Sequence, residues 1–173
     1  MDVLTAIATR RMVRRFADRP IDETDLRRIL NAGRRAASSK NTQRWTFIVV
    51  RDRGRLEELA KVGPWAGHLA GAAAGIALVT PTTEDGDDPP SVMFDLGQAA
   101  SQMMLAAWEL GIGTCPVTAY EPEVAARILG LPTNQRCRYL LSVGYPARPE
   151  DLTRPLKRGG RKPFDEVVRQ ETW

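Results

Sequence analysis

The sequence predicts a layered domain in which helices pack against one β-sheet, of the α/β or α+β class. Three observations carry that prediction. Short apolar runs rich in β-branched residues, TFIVV, GIALVT, CPVTA and RYLLSVGYP, are bounded by Gly, Pro and polar residues as strands are. Longer stretches between them repeat apolar residues at helical spacing, so the two kinds of segment alternate along the chain. At 173 residues and 43% hydrophobic, the chain is long enough for one domain, spanning 1–173, with a substantial core.

Each element has a local reason. Asp2 caps a first helix whose Val3, Leu4, Ile7 and Ala8 share one face and which ends in Arg10 and Arg11. Asp22, followed three residues later by Asp25, opens a second helix with Leu26, Ile29 and Leu30 on its buried side. A polar loop, AASSKNTQRW, leads into TFIVV, expected as a central strand. GRLEELAKV reads as a short third helix and GIALVT as a second strand, after which the acidic TTEDGDDPPS reads as a mobile loop. Ser91 then caps a long helix in which Phe94, Gly97, Gln98, Ser101, Met104, Leu105 and Trp108 recur at helical spacing. This is the most buried helix expected, with Met103, Met104 and Trp108 as core packing. CPVTA follows as a brief strand, EPEVAARILG as a helix with Pro122 near its start and Gly130 at its end, and RYLLSVGYP as another strand. The tail from Arg148 onward, 148–173, is rich in Pro and Arg and is expected to be extended, stable only where it lies on something else.

Composition narrows the function classes. Lys and Arg number 25 against 21 Asp and Glu, for a net charge of +4. Arg outnumbers Lys, which suits recognition of phosphate or carboxylate by a planar fork of donors, although host codon usage enriches Arg without any ligand. Cys115 and Cys137 have no C-x-x-C spacing and no His nearby, so neither a zinc site nor a disulfide framework is indicated. A reduced, cytoplasmic protein fits that usage. No apolar run approaches the ~20 residues that span a bilayer. The Arg-rich start is not read as a transit peptide, because Asp2 comes early and the pattern runs on into the next helix. A single histidine, His68, gives no ground for a conventional triad, and no side chain is assigned as catalytic.

Function must therefore come from polar clusters. TRRMVRRF brings Arg10, Arg11 and Arg14 together at a helix end, where converging guanidinium groups either hold a phosphate or simply complement the helix dipole as a solvated turn. AASSKNTQRW gathers Ser38, Ser39, Asn41 and Gln43 ahead of Trp45; ordinary turn chemistry accounts for the Ser and Asn but not for the Gln and Trp. RGGRKP places Arg158, Arg161 and Lys162 around two glycines, either against a ligand or as a basic tail.

In this order, and over nearly the whole chain, these clusters resemble the nitroreductase family of flavin enzymes. RRMVRRF is similar to the family's Arg-Arg-Ser-x-Arg-x-Phe, and ASSKNTQRWTFIVV to its Pro-Ser-x-x-Asn-x-Gln-Pro-Trp followed by the first strand. DLGQAASQMMLAAWELGIGT, SVGYP and RKPFDEVV support the match. The resemblance implies an α+β, three-layer α/β/α fold with a central mixed, mostly antiparallel sheet and a C-terminal arm, 148–173, exchanged in a homodimer. It implies flavin mononucleotide (FMN) at the subunit interface, NAD(P)H as electron donor and a small-molecule acceptor such as a nitroaromatic or quinone, in a ping-pong cycle. Arg10, Arg11 and Arg14 would meet the phosphate and the polar edge of the isoalloxazine ring. Ser38, Ser39, Asn41 and Gln43 would bond a flavin held mainly by the partner subunit, with Trp45 packed beneath the loop. Pro116 and Val117 match the segment lying against the ring near N5, a contact made by backbone amides, and Arg161 would close over the phosphate from the other subunit.

The sequence also departs from the family pattern. Met12 stands where the family has Ser, Ala37 and Arg44 replace two prolines, and Thr118-Ala119 replaces Glu-Gly. The acidic connection is short where larger members insert helices over the flavin, so an open pocket is expected. Three rival readings make different demands. A flavin-binding or storage protein with little turnover would not be bleached by NAD(P)H, and a dedicated biosynthetic flavin oxidoreductase would show itself in a substrate screen. A basic nucleic-acid-binding protein would need a recognition motif, which is missing, and the basic clusters alternate with acidic ones. Neither nucleic acid nor a membrane is expected as a partner.

Overall fold

A computed structural model of the chain describes residues 1–82, 90–153 and 160–173. Four strands, β1 (Thr46–Val50), β2 (Ala74–Pro81), β3 (Gly113–Thr118) and β4 (Gln135–Gly144), form one sheet in the order β1-β2-β4-β3. Every neighbouring pair is antiparallel. The N-terminal segment adds a parallel bridge from Met12 to Thr114 and an antiparallel one from Phe16 to Pro146, which makes the sheet mixed. TFIVV, expected as a central strand, is an edge strand of this chain, and β2 is the buried centre. A short apolar run reads the same in either position.

Side-chain alternation along the strands divides the core in two. Ala74, Ile76 and Leu78 of β2, with Leu141 and Val143 of β4, meet Leu26 and Ile29 of α2 (Glu23–Arg34) and Leu96, Met103 and Ala107 of α4 (Pro90–Glu109). Ala77 and Val79, with Val117, Cys137 and Leu140, meet Leu56 and Leu59 of α3 (Arg53–Leu59) and Ala125 of α5 (Pro122–Leu129). Helices therefore cover both faces, giving three layers.

Helix ends form where the side chains dictate. The Asp2 carboxylate accepts the Thr5 N–H at 3.0 Å and caps α1 (Val3–Thr9); Asp22 accepts the Thr24 N–H at 2.8 Å and caps α2. Gly130 ends α5 at φ 65, a left-handed conformation that costs glycine least. Gly113 has a different purpose. A Cβ there would lie 2.5 Å from Val13 Cβ, so the bare α-carbon is what lets the Arg-rich segment lie on β3.

Two helix faces differ from expectation. Val3, Leu4 and Ile7 are 70%, 77% and 56% exposed, and only Ala6 of α1 is buried, so the shared apolar face has no cover among the described residues. In α4 the buried stripe is Val92, Leu96, Ala99, Met103 and Ala107, while Phe94, Gly97 and Ser101 turn outward. A helix apolar around most of its circumference does not mark its buried side by the spacing of its large residues. Met103, Met104 and Trp108 are core residues as expected, and the Trp108 indole donates to Thr9 Oγ1 at 3.1 Å. The acidic segment 83–89 and Arg158 lie outside the described residues. The tail holds a 3-10 turn, Pro149–Leu152, and a short helix α6 (Phe164–Val167), with Phe164, Val167 and Trp173 exposed. Among the described residues, no helix is long and apolar enough to cross a membrane.

Candidate cofactor site

The Arg-rich segment divides its three arginines among three surroundings. Arg10 is half-buried beside α4, its Nη1 3.9 Å from the thioether sulfurs of Met12 and Met104. Its Nε is buried without a hydrogen-bond partner among the described residues. Sulfur is a weak acceptor, so the cation has no counter-charge among the described residues. Burial first, then the like charge of Arg161, pushes its pKa below the ordinary range. Arg11 folds back onto the end of α1, donating to the carbonyls of Thr9 at 2.7 Å and of Ala8 and Arg10 at 3.3 Å, although its Nε is also buried and unpaired. Its Nη1 therefore complements the helix terminus. Arg14 is exposed, and its charge acts on His68 and Cys115. The three guanidinium groups do not converge on one point.

An apolar cavity of about 280 Å³ lies between α4 and the outer part of the sheet. Met93, Gly97 and Ala100 of α4 form one wall, and Pro116, Tyr139 and Leu141 lie along the sheet side. Met104, whose sulfur is 3.9 Å from Arg10 Nη1, is next on the same helical stripe, one turn beyond Ala100 of the cavity wall. Pro116 is exposed toward it, whereas the Val117 side chain is buried in the opposite core and contributes only backbone. The Ala119 N–H donates to the Arg138 carbonyl of β4, so by alternation the Thr118 N–H points away from β4, with no acceptor among the described residues.

The second cluster is built by strain. Lys40, Asn41 and Gln43 all have positive φ, at 52, 56 and 48, an unusual concentration for residues other than glycine. Three side chains hold it. Asp95, a carboxylate only 7% exposed on α4, accepts the Ser39 N–H at 2.8 Å; Ser38 Oγ accepts the Gln43 N–H at 3.0 Å; and Gln43 Nε2 donates to Asn41 Oδ1 at 3.2 Å. Ser39, Asn41 and Gln43 stay exposed, and Trp45 stacks on Phe47 with ring centroids 6.3 Å apart. This loop is anchored at Asp95 and Arg10 at Met104, nine residues or roughly 13 Å apart along α4. One chain holds the two groups apart. Arg161, expected to act from the other subunit, is exposed and near enough to Arg10 of its own chain for the charges to repel.

Asp95 was not singled out from sequence and His68 was noted only as the one histidine, whereas the Thr118 amide belongs to the segment whose backbone amides the resemblance implied. A lone acid inside the apolar helix was a signal for Asp95; the other two depend on strand pairing. The cysteines add no reactive group, since burial pushes Cys137 up to about 12 and raises Cys115, and both are free. Among the described residues no group of His, Cys, Asp and Glu could hold a metal ion.

Known proteins are similar to this chain in sequence and fold. The profile of the nitroreductase family matches residues 7–68 and 63–145. A protein of Archaeoglobus fulgidus, provisionally named an NADH dehydrogenase/NAD(P)H nitroreductase, is 32% identical over 87% of this chain and 89% of its own. The FMN reductase [NAD(P)H] of Bacillus subtilis is 30% identical over 99% of this chain and 74% of its own. Among solved structures, a protein of Parabacteroides distasonis with the same provisional name as the first superposes with a TM-score of 0.84 at 25% identity, covering 98% of each chain. The α+β layers, the mixed antiparallel sheet and these matches make the chain a member of the nitroreductase family.

Proposed function

We propose that this protein is an FMN-dependent oxidoreductase that uses NAD(P)H to reduce nitroaromatics, quinones or related acceptors, working as a homodimer with the flavin at the subunit interface. Arg10 carries the reading: among the described residues it is a half-buried cation with an unpartnered Nε and two sulfurs near its Nη1, set at Met104, one turn along α4 from Ala100 of an apolar cavity also lined by Pro116. A buried cation without a counter-charge is costly, and an anionic ligand removes the cost. FMN pairs a flat aromatic ring, suited to the cavity, with a phosphate suited to arginine. Bound there, it would supply the two-electron chemistry between a reduced nicotinamide and the acceptor.

The chain's own residues bind and orient. Pro116 and the Met93–Gly97–Ala100 stripe would enclose the ring, the Thr118 N–H would donate at its edge, and Arg10 with Arg161 would hold negative charge. Ser38, Ser39, Asn41 and Gln43, held apart from Arg10 on their own chain, would complete the site of a second copy. The uncovered Val3, Leu4 and Ile7 of α1, with Phe164 and Val167 of α6, offer that copy apolar surface to bury. The names of the relatives, which specify FMN and NAD(P)H, support the cofactor and donor. Titration of the flavin-free protein with FMN and with riboflavin, with mass measured by light scattering, tests this reading. One FMN per chain in a dimer, bound more tightly than riboflavin, is expected; a protein that takes up neither would overturn it.

A further inference from the structure

A second cavity, an open cleft of about 220 Å³, is lined by residues 17–21, by Arg51 just after β1, by Arg53 at the start of α3 and by Ala73 just before β2. Leu78, on the same strand as the cleft's Ala73 borders, lines the apolar cavity instead. Five residues of extended chain separate the two, or roughly 17 Å, so the cleft lies at the other end of the sheet from the cofactor site. Its wall is fixed at both ends. The Ala17 N–H donates to the Tyr145 carbonyl at 2.8 Å, and the buried Ile21 is part of the core.

The three arginines of the lining are held in different ways. Arg51 is paired, its Nη2 2.6 Å from Glu23 Oε2. Arg19 sits over the Tyr145 ring with its Cζ 3.8 Å from the centroid, and its guanidinium N–H groups have no acceptor among the described residues. Arg53 Nη1 donates to the carbonyls of Ala70 and Ala72, which hold the head in place and bring no counter-charge. Ring and carbonyls thus orient two cations without neutralising either. Adjacent carboxylates are engaged elsewhere: Asp52 accepts the Arg55 N–H at 2.9 Å and Asp22 the Thr24 N–H at 2.8 Å. Asp18 is the one acid in the lining, exposed and unpaired among the described residues.

We propose that this cleft is a second anion site, in which Arg19 and Arg53 together hold a phosphate group. Guanidinium groups meet a phosphate with paired, charge-assisted donors, and cations already held in place lose little freedom on binding it. Asp18 opposes the anion and limits its affinity. The open mouth admits either inorganic phosphate or the phosphate of a monoester such as a nucleotide. The inference does not rest on the flavin reading, because neither arginine belongs to the cofactor site.

Calorimetric titration with inorganic phosphate and with AMP, near neutral pH and at constant ionic strength set by chloride, tests it. The background is Arg10→Ala, which removes the cation of the cofactor site; one phosphate per chain should still bind. Adding Arg19→Gln or Arg53→Gln should weaken that binding by about fivefold or more, a figure reduced for the exposure of the site. Asp18→Asn should strengthen it, a gain that no loss of folding can imitate, and urea denaturation checks the stability of each variant. AMP binding more tightly than phosphate supports the site as one for a nucleotide monoester, and equal affinity supports it as one for the free anion. No binding in the Arg10→Ala background, or binding that neither arginine replacement weakens, would overturn the inference and leave the flavin reading intact.

Discussion

Replacing Arg10 by Ala separates a ligand-binding arginine from a structural one, because Arg10 and its neighbour Arg11 are spent differently. Arg11 donates to three carbonyls at the end of α1, whereas Arg10 has only two sulfurs at 3.9 Å and an orphaned Nε. Losing Arg10 therefore removes no ion pair among the described residues. Its stability should change by less than about 1 kcal/mol, since the lost packing of the stem is offset by relief of a half-buried, uncompensated charge. Flavin binding should suffer far more. A hydrogen bond to a charged group contributes about 1.5–3 kcal/mol, which corresponds to roughly a tenfold to hundredfold loss of FMN affinity. Arg11→Ala should show the reverse balance, costing about 1 kcal/mol at the helix end with a smaller loss of affinity. Quenching of flavin fluorescence gives the affinities and urea denaturation the stabilities. FMN affinity within about twofold of the parent in Arg10→Ala would refute the assignment of that cation to the ligand.

Four further outcomes follow from the geometry. Asp95→Ala removes the acceptor of the Ser39 N–H, a bond to a charged group contributing about 1.5–3 kcal/mol, and should lower both the melting temperature and FMN affinity, with Asp95→Asn milder in calorimetry and titration. Gly113→Ala sets a methyl 2.5 Å from Val13 Cβ and should cost about 1–3 kcal/mol in urea denaturation while displacing the Arg10–Arg14 segment. Ile7→Lys or Leu4→Glu on the uncovered face of α1 should yield monomers by light scattering that no longer retain FMN. His68 has a folded-state pKa below its unfolded value of 6.5, so the folded protein binds fewer protons in that window. Its contribution is complete above 6.5 and is lost as pH falls, and urea midpoints should decline toward acid more steeply in the parent than in His68→Asn.

Local chemistry was legible in the sequence, and long-range placement was not. The carboxylate caps at Asp2 and Asp22 and the left-handed stop at Gly130 are decided by a few neighbouring residues, and all form as expected. The face of α1 was legible only as apolar. Val3, Leu4 and Ile7 look the same in sequence whether their own core or another chain is to cover them. In α4, Phe94 and Leu96 are similar in hydropathy yet face opposite ways, since that helix has sheet on one side and an open flank on the other. TFIVV became an edge strand because strand order is set by which crossovers the helices permit, and hydropathy carries no record of that. The site divides along the same line. Motif order pointed to Arg10, the Ser38–Gln43 loop and Pro116 as candidates, but the unpartnered Nε of Arg10, the buried Asp95 anchor and the His68–Ser142–Cys115 hydrogen bonds depend on residues far apart in the chain.

The visible absorption spectrum of the purified protein, loaded with FMN, passed through a desalting column and then mixed with NADH or NADPH in the absence of oxygen, tests the central claim most directly. An FMN-dependent oxidoreductase will keep its flavin bands through the column, lose them on addition of reduced nicotinamide and regain them when a quinone is added. Flavin that elutes free of the protein, or bound flavin that neither nicotinamide bleaches, would contradict it.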